Sequence, residues 1–181
     1  MGLNVFQSLR KGVSGQQPLP HVPAFKDLYE AGVTPRQGQV VMVAGRSGSQ
    51  KSGFALYWVA AMGLPTLYFS ADMAPFTAGV RLASIATGMS SKEVEAMMGT
   101  TNGRAQIEQA ASSLPIELSF GSPITWEQVE DELNAYVMLH NMFPKVVVFD
   151  NLMDFAGCES DYEAQMGVMQ DVIAFARTTG A

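Results

Sequence analysis

The chain has 181 residues, 48% of them apolar and 15% charged, with a formal net charge of −6. That length suits one domain with a substantial core, and the acidic balance argues against holding nucleic acid through the overall field, leaving only a local basic groove or one completed by other subunits. The single cysteine, Cys158, excludes an intrachain disulfide framework, and no uninterrupted apolar run approaches the roughly 18–20 residues that span a bilayer. Arg10-Lys11 has no apolar core behind it, so no secretion signal is read and the cytoplasm is the expected location.

Residues 1–24 mix Gly, Ser, Gln and Pro and read as an N-terminal arm or linker, within which Met1 to Leu9 could form a short docking helix. A short helix from Phe25 is stopped by Gly32, and Thr34-Pro35-Arg36-Gln37-Gly38 turns the chain into an apolar, β-branched run, Gln39 to Ala44, expected to be the first strand. Gly45-Arg46-Ser47-Gly48-Ser49-Gln50-Lys51-Ser52 follows, with Gly53 behind it, and residues 54–62 have the composition of a buried helix. Strand, glycine-bearing loop and helix, with Lys-Ser at the loop's end, is the context of a phosphate-binding P-loop. Small residues let backbone N–H groups converge on phosphate oxygens, and the helix start adds its positive dipole end. In that reading Lys51 reaches the β- and γ-phosphates of ATP and the Ser52 hydroxyl ligates Mg²⁺. One position departs from the pattern: the glycine usual before the lysine, which serves close backbone approach or a dihedral costly for a residue with a Cβ, is here Gln50.

Further along, Thr66 to Ser70 is a second strand ending at Ala71-Asp72-Met73, and Pro75 opens a helix over 76–87, with Asp72 or Ser70 as its expected cap. Ser90 and Glu93 have capping-box spacing for a helix to Met98, and another helix covers 104–112. Leu114 to Phe120 is the third strand, Thr125 caps a helix to His140, Lys145 to Asp150 is the fourth strand, and a last helix runs over 162–178. Strands alternating with helices, the strands nearly all apolar, imply a parallel sheet covered on both faces.

The fourth strand carries the second chemical signal. Asp150 ends an apolar run and so lies at the C-terminal edge of a parallel strand, where open α/β sheets bind ligands. A Walker-B aspartate holds Mg²⁺ from that place, beside the Ser52 hydroxyl. Asp72 occupies the matching edge of the second strand, where it either caps the helix or orients the water that attacks the γ-phosphate. The methionines, 12 in all, are taken as core filler. Glu127, Glu130, Asp131 and Glu132 read as the solvated start of a helix, Tyr57 and Trp58 as core or adenine-side packing, and Asp154, Glu159 and Asp161 as loop acids.

These residues resemble a known family. Phe25 to Ser52, Tyr68-Phe69-Ser70-Ala71-Asp72-Met73, Arg81-Leu82-Ala83-Ser84 and Leu114-Pro115-Ile116 are similar to the motor domain of DnaB-type replicative helicases and their RecA-like relatives, and short forms without an N-terminal domain resemble the bacteriophage-encoded members. The resemblance covers residues 25–181. It implies a RecA-like P-loop NTPase, a three-layer α/β fold with a mostly parallel sheet, Mg²⁺-dependent ATP hydrolysis between subunits of a hexamer-type homo-oligomeric ring, translocation on single-stranded DNA, no membrane role, and residence in the bacterial host cytoplasm. It also gives Asp72 the place of the family's catalytic glutamate, one methylene shorter. Gln50 and Asp72 together predict slow hydrolysis. The family's later strand, DNA-facing loops and arginine finger are expected beyond Ala181, so the sequence reads as the front part of such an ATPase. A nucleotide-binding subunit without motor activity, a split-gene fragment regulating a helicase, and a RecA-like recombinase remain open.

Overall fold

The computed structural model describes residues 17–155 and 162–181; the proposed Met1–Leu9 helix, Cys158, Glu159 and Asp161 lie outside them. In chain order the elements are a 3₁₀ turn (Pro23–Phe25), α1 (Lys26–Glu30), α2 (Lys51–Met62), β1 (Thr66–Ser70), α3 (Pro75–Thr87), α4 (Ser91–Met98), α5 (Thr101–Ala111), β2 (Ile116–Phe120), α6 (Trp126–His140), β3 (Val146–Asp150), a 3₁₀ turn (Leu152–Asp154) and α7 (Tyr162–Thr179).

The sheet has three parallel strands in the order β2-β1-β3. Helices cover both faces, as apolar strands require. On one face Tyr68 of β1 packs with Leu56, Val59 and Ala60 of α2 and Leu82 of α3, and Val146 and Val148 of β3 join them. On the other, Leu67 and Phe69 meet Val129, Leu133 and Tyr136 of α6, together with Ile124 and Phe155. A third cluster joins α3, α4 and α5 through Val80, Ala83, Val94 and Ile107.

Local signals set most element ends. Ser90 and Glu93 form the reciprocal capping box, the Thr125 hydroxyl accepts from the Gln128 N–H (3.1 Å), and Pro75 opens α3. The expected cap of α3 is a correction. Its N-cap is Ala74, with no side-chain cap, because the Asp72 carboxylate is drawn to partners on another loop.

The largest correction concerns residues 39–44. They form no strand, and Val40, Val41, Met42 and Val43 are exposed. Apolar, β-branched composition favours a strand only where a neighbour supplies ladder partners. Here the segment faces β3 across a cavity, and among the described residues its backbone joins no ladder.

The described part of the arm is tied down. Leu19 N–H donates to the Pro35 carbonyl, Val22 is buried and donates its N–H to Tyr29 Oη (2.9 Å), and His21 stacks on Tyr29. The methionines divide: Met62, Met73, Met97 and Met98 are partly buried and pack against the core clusters, while Met42, Met89, Met138, Met142, Met153 and Met166 are exposed. Among the described residues no helix is long and apolar enough to cross a membrane.

Candidate functional site

The loop over 45–50 is exposed and delivers the chain into α2. A Cβ on Gly45 would come within 2.6 Å of the Ser49 hydroxyl, so any larger residue there would have to turn that side chain aside. Gln50 sits at φ 63°, ψ 29°, the left-handed conformation in which glycine is at ease. Its carbonyl accepts from the Phe54 N–H (2.9 Å), starting the helical ladder, and its side chain makes no cap. The first N–H groups of α2 therefore face outward without a side-chain acceptor from the cap, an arrangement suited to an anion. Lys51 and Ser52 lie in the first turn of α2, earlier than the sequence reading began that helix. The Lys51 ammonium folds back onto the loop, donating to the carbonyls of Gly45 (3.1 Å) and Arg46 (3.2 Å).

Parallel register fixes the face on which Asp150 lies. Ser70 pairs with Asp150 and Tyr68 with Val148, and Tyr68 and Val148 pack against the α2 cluster, so Asp150 stands on the α2 side of the sheet. A cavity of about 640 Å³ brings the two motifs together: Gly45 and Lys51 line it with Asp150 and Asn151. That volume falls within the roughly 300–1,000 Å³ of small-molecule sites. Most of its wall is apolar, formed by Val40 to Val43, by β3 and by Met169, Val172 and Phe175 of α7.

Two partners in the site were missed from the sequence. Tyr68 Oη donates to Asp150 Oδ2 at 2.7 Å, and burial, then the Asp150 charge and this hydrogen bond, hold the phenol far above its usual ionisation range, with Arg81 opposing. Asn151 Nδ2 donates to Asp72 Oδ2 at 2.6 Å. The Asn151 carbonyl oxygen of the same side chain accepts the Met153 N–H (2.8 Å), which fixes the amide's orientation. The Asp154 carboxyl is raised above its usual value, first by desolvation and then by the charge of Asp72 and hydrogen bonding with it, while Ser122 and the Asn151 backbone pull it down. Asp72, itself exposed, is thus held by the Asn151 amide, with the Asp154 carboxyl near enough to feel its charge. An amide directly after Asp150 was the only cue to this in the sequence.

The remaining candidates lie elsewhere. Trp58 is buried while Tyr57 is exposed, and Phe25 stacks edge-on with both. Glu132 Oε1 accepts from Ser119 Oγ (2.9 Å), and His140 Nε2 lies 3.2 Å from Glu117 Oε1.

Comparison with known proteins finds two mycobacteriophage relatives. The chain is 32% identical over 174 residues to the Gene 65 protein of Mycobacterium phage L5, covering 89% of this chain and 64% of that protein. It is 27% identical over 146 residues to the Gene 65 protein of Mycobacterium phage D29, covering 78% of this chain and 63% of that protein. The chain thus spans less than two thirds of the length of these curated relatives. No family model matches the sequence. Its homologues are phage proteins, consistent with a bacteriophage origin.

Proposed function

We propose that this chain is the ATP-binding and hydrolysing core of a DnaB-like DNA helicase of the RecA superfamily, acting in bacteriophage DNA replication. The observation that carries the reading is the meeting of Lys51 and Asp150 on one cavity, on the α2 side of a parallel sheet, at the end where β3 stops. The sequence supplies the Walker-type loop and strand; the geometry supplies their convergence. A RecA-like three-layer fold, ring assembly, single-stranded DNA as the track and the host cytoplasm as the location belong to the same proposal.

Lys51 and Asp150 bring to the cavity wall groups that suit a triphosphate and its metal, while Ser52 and Asp72 do not line the cavity and would act from beside it. The open N–H groups at the start of α2 and the Lys51 ammonium are donors for phosphate oxygens, and moving from the Gly45 and Arg46 carbonyls to a phosphate is a short reorientation of a flexible side chain. Ser52 and Asp150 are hard oxygen donors of the kind Mg²⁺ takes, with one Asp150 oxygen engaged by Tyr68 and the other left for the site. Mg²⁺ held there would neutralise charge developing on the phosphates. Asp72 would orient and polarise the attacking water, with Asn151 and Asp154 fixing its carboxylate. Gly45 to Gly53 would wrap the phosphates by backbone rather than side chain.

A second reading, a nucleotide-binding subunit with little turnover, is favoured by Gln50 in a left-handed position and by the short Asp72. One experiment separates the two. DNA-stimulated phosphate release, lost in Lys51→Ala, is the expected result for the motor. Nucleotide binding without release in the wild type would favour the scaffold. No thermal shift with Mg·ATP would end both.

A further inference from the structure

We propose that Tyr68 is a positioning residue for the metal-binding Asp150, an inference that rests on the nucleotide-site reading above. β1 and β3 pair in parallel with Ser70 directly opposite Asp150. Tyr68 is two residues earlier on the same face, and a phenol is long enough to cross that diagonal. It does so at 2.7 Å, donating to Asp150 Oδ2 from a fully buried ring. The ring cannot follow a moving partner, because it is packed with Leu56, Val59, Ala60 and Leu82. The hydroxyl is therefore a fixed donor that holds the orientation of the carboxylate through Oδ2, and among the described residues the other oxygen has no hydrogen-bond partner.

A buried ring of purely structural use needs no hydroxyl at this point; phenylalanine would fill the same volume. The hydroxyl instead meets a carboxylate on the cavity wall. Ser70 is the contrast. It lies in register beside Asp150, is 2% exposed, and its hydroxyl has no hydrogen-bond partner among the described residues. Proximity alone thus fails to engage the carboxylate; the length and direction of the phenol succeed.

The test uses the full chain and a fluorescent ATP analogue titrated with MgCl₂, and in parallel with EDTA in place of the metal. Tyr68→Phe is expected to weaken the Mg²⁺-dependent part of nucleotide affinity about tenfold, as loss of an outer partner of a metal ligand does, and to leave the affinity in EDTA unchanged. Ser70→Ala is expected to keep the wild-type Mg²⁺ dependence. A Tyr68→Phe protein with wild-type Mg²⁺ dependence overturns the assignment while leaving nucleotide binding in place. An equal loss in both variants overturns it in favour of a general effect of the strand. Wild-type protein that binds the analogue in neither condition overturns the nucleotide-site reading and this inference with it. Should Tyr68→Phe fail to fold, wild-type protein carrying 3-fluorotyrosine decides the matter. Mg²⁺ added to the ATP complex is expected to shift the one ¹⁹F resonance that Asp150→Asn also moves, and absence of that shift overturns the assignment.

Discussion

β1 and β3 are neighbours in one ladder, paired from Thr66 with Val146 to Ser70 with Asp150, yet β1 is buried along its whole length and β3 is half-buried throughout. The more apolar strand is the less buried one. Val-Val-Val-Phe-Asp carries more β-branched apolar surface than Thr-Leu-Tyr-Phe-Ser, so hydrophobicity cannot be the cause. Place in the sheet is. β1 has a strand on each side and helices on both faces, whereas β3 has β1 on one side and a cavity on the other. Residues 39–44 extend the series: they are equally apolar, have no ladder among the described residues, and are exposed. Composition makes a segment fit for burial, and its neighbours decide whether burial happens.

Truncation along that series breaks or sharpens the comparison. Phe69→Ala on β1 should cost about 3–5 kcal/mol, a loss of transfer free energy plus a cavity. Val147→Ala on β3 should cost about 1 kcal/mol, part of the roughly 1.5–3 kcal/mol that full burial of such a side chain contributes. Val41→Ala should stay within about 0.5 kcal/mol, as a surface change does. Urea denaturation gives all three values. A Val41→Ala cost equal to that of Val147→Ala would mean that residues 39–44 are laddered in solution and that the comparison is false.

The same contrast explains what the sequence could reveal. Signals complete within a few residues were readable: the Ser90–Glu93 box, the Thr125 cap, Pro75 at the start of α3, and the three strands that found partners. The glycine-bearing loop before α2 and the strand-ending Asp150 were readable for the same reason, since each signal is local. The partners of the carboxylates were not. Tyr68 and Asp150 are 82 residues apart, and Asn151 and Asp72 are 79 apart. Nothing near Asp72 told that a distant amide would take its oxygen from the expected cap of α3. The exposed methionines have a similar origin: spacing along a helix assigns a face, and which face meets the core depends on what packs there.

Two smaller effects probe the loop before α2 and the turn after β3. Gln50→Gly removes a Cβ from a left-handed residue and should raise stability by about 0.5–1 kcal/mol, read as a higher urea midpoint at unchanged slope. It should also tighten nucleotide binding if the loop cradles phosphates through its backbone. Lower stability would mean that the Gln50 side chain, whose Oε1 lies 3.4 Å from the point a Cβ on Gly53 would occupy, contributes more packing than its dihedral costs.

The smallest effect concerns the carboxyl pair beyond β3. Desolvation first, then the Asp72 charge and the bond between the two carboxyls, raise Asp154 above its ordinary value of 3.8. The folded chain therefore keeps a proton on Asp154 in a pH interval where the unfolded chain has lost it. The stabilisation is complete below the unfolded value and fades as pH rises through the folded one. Asp154→Asn stays neutral at every pH and retains an N–H to offer Asp72. Thermal melts should then show a variant more stable than the wild type at pH 7, with the gap shrinking toward pH 4. Solvent around a partly exposed pair keeps the effect small. A gap of equal size at both pH values would mean that the two carboxyls do not share a proton, and that Asn151 alone holds Asp72 in place.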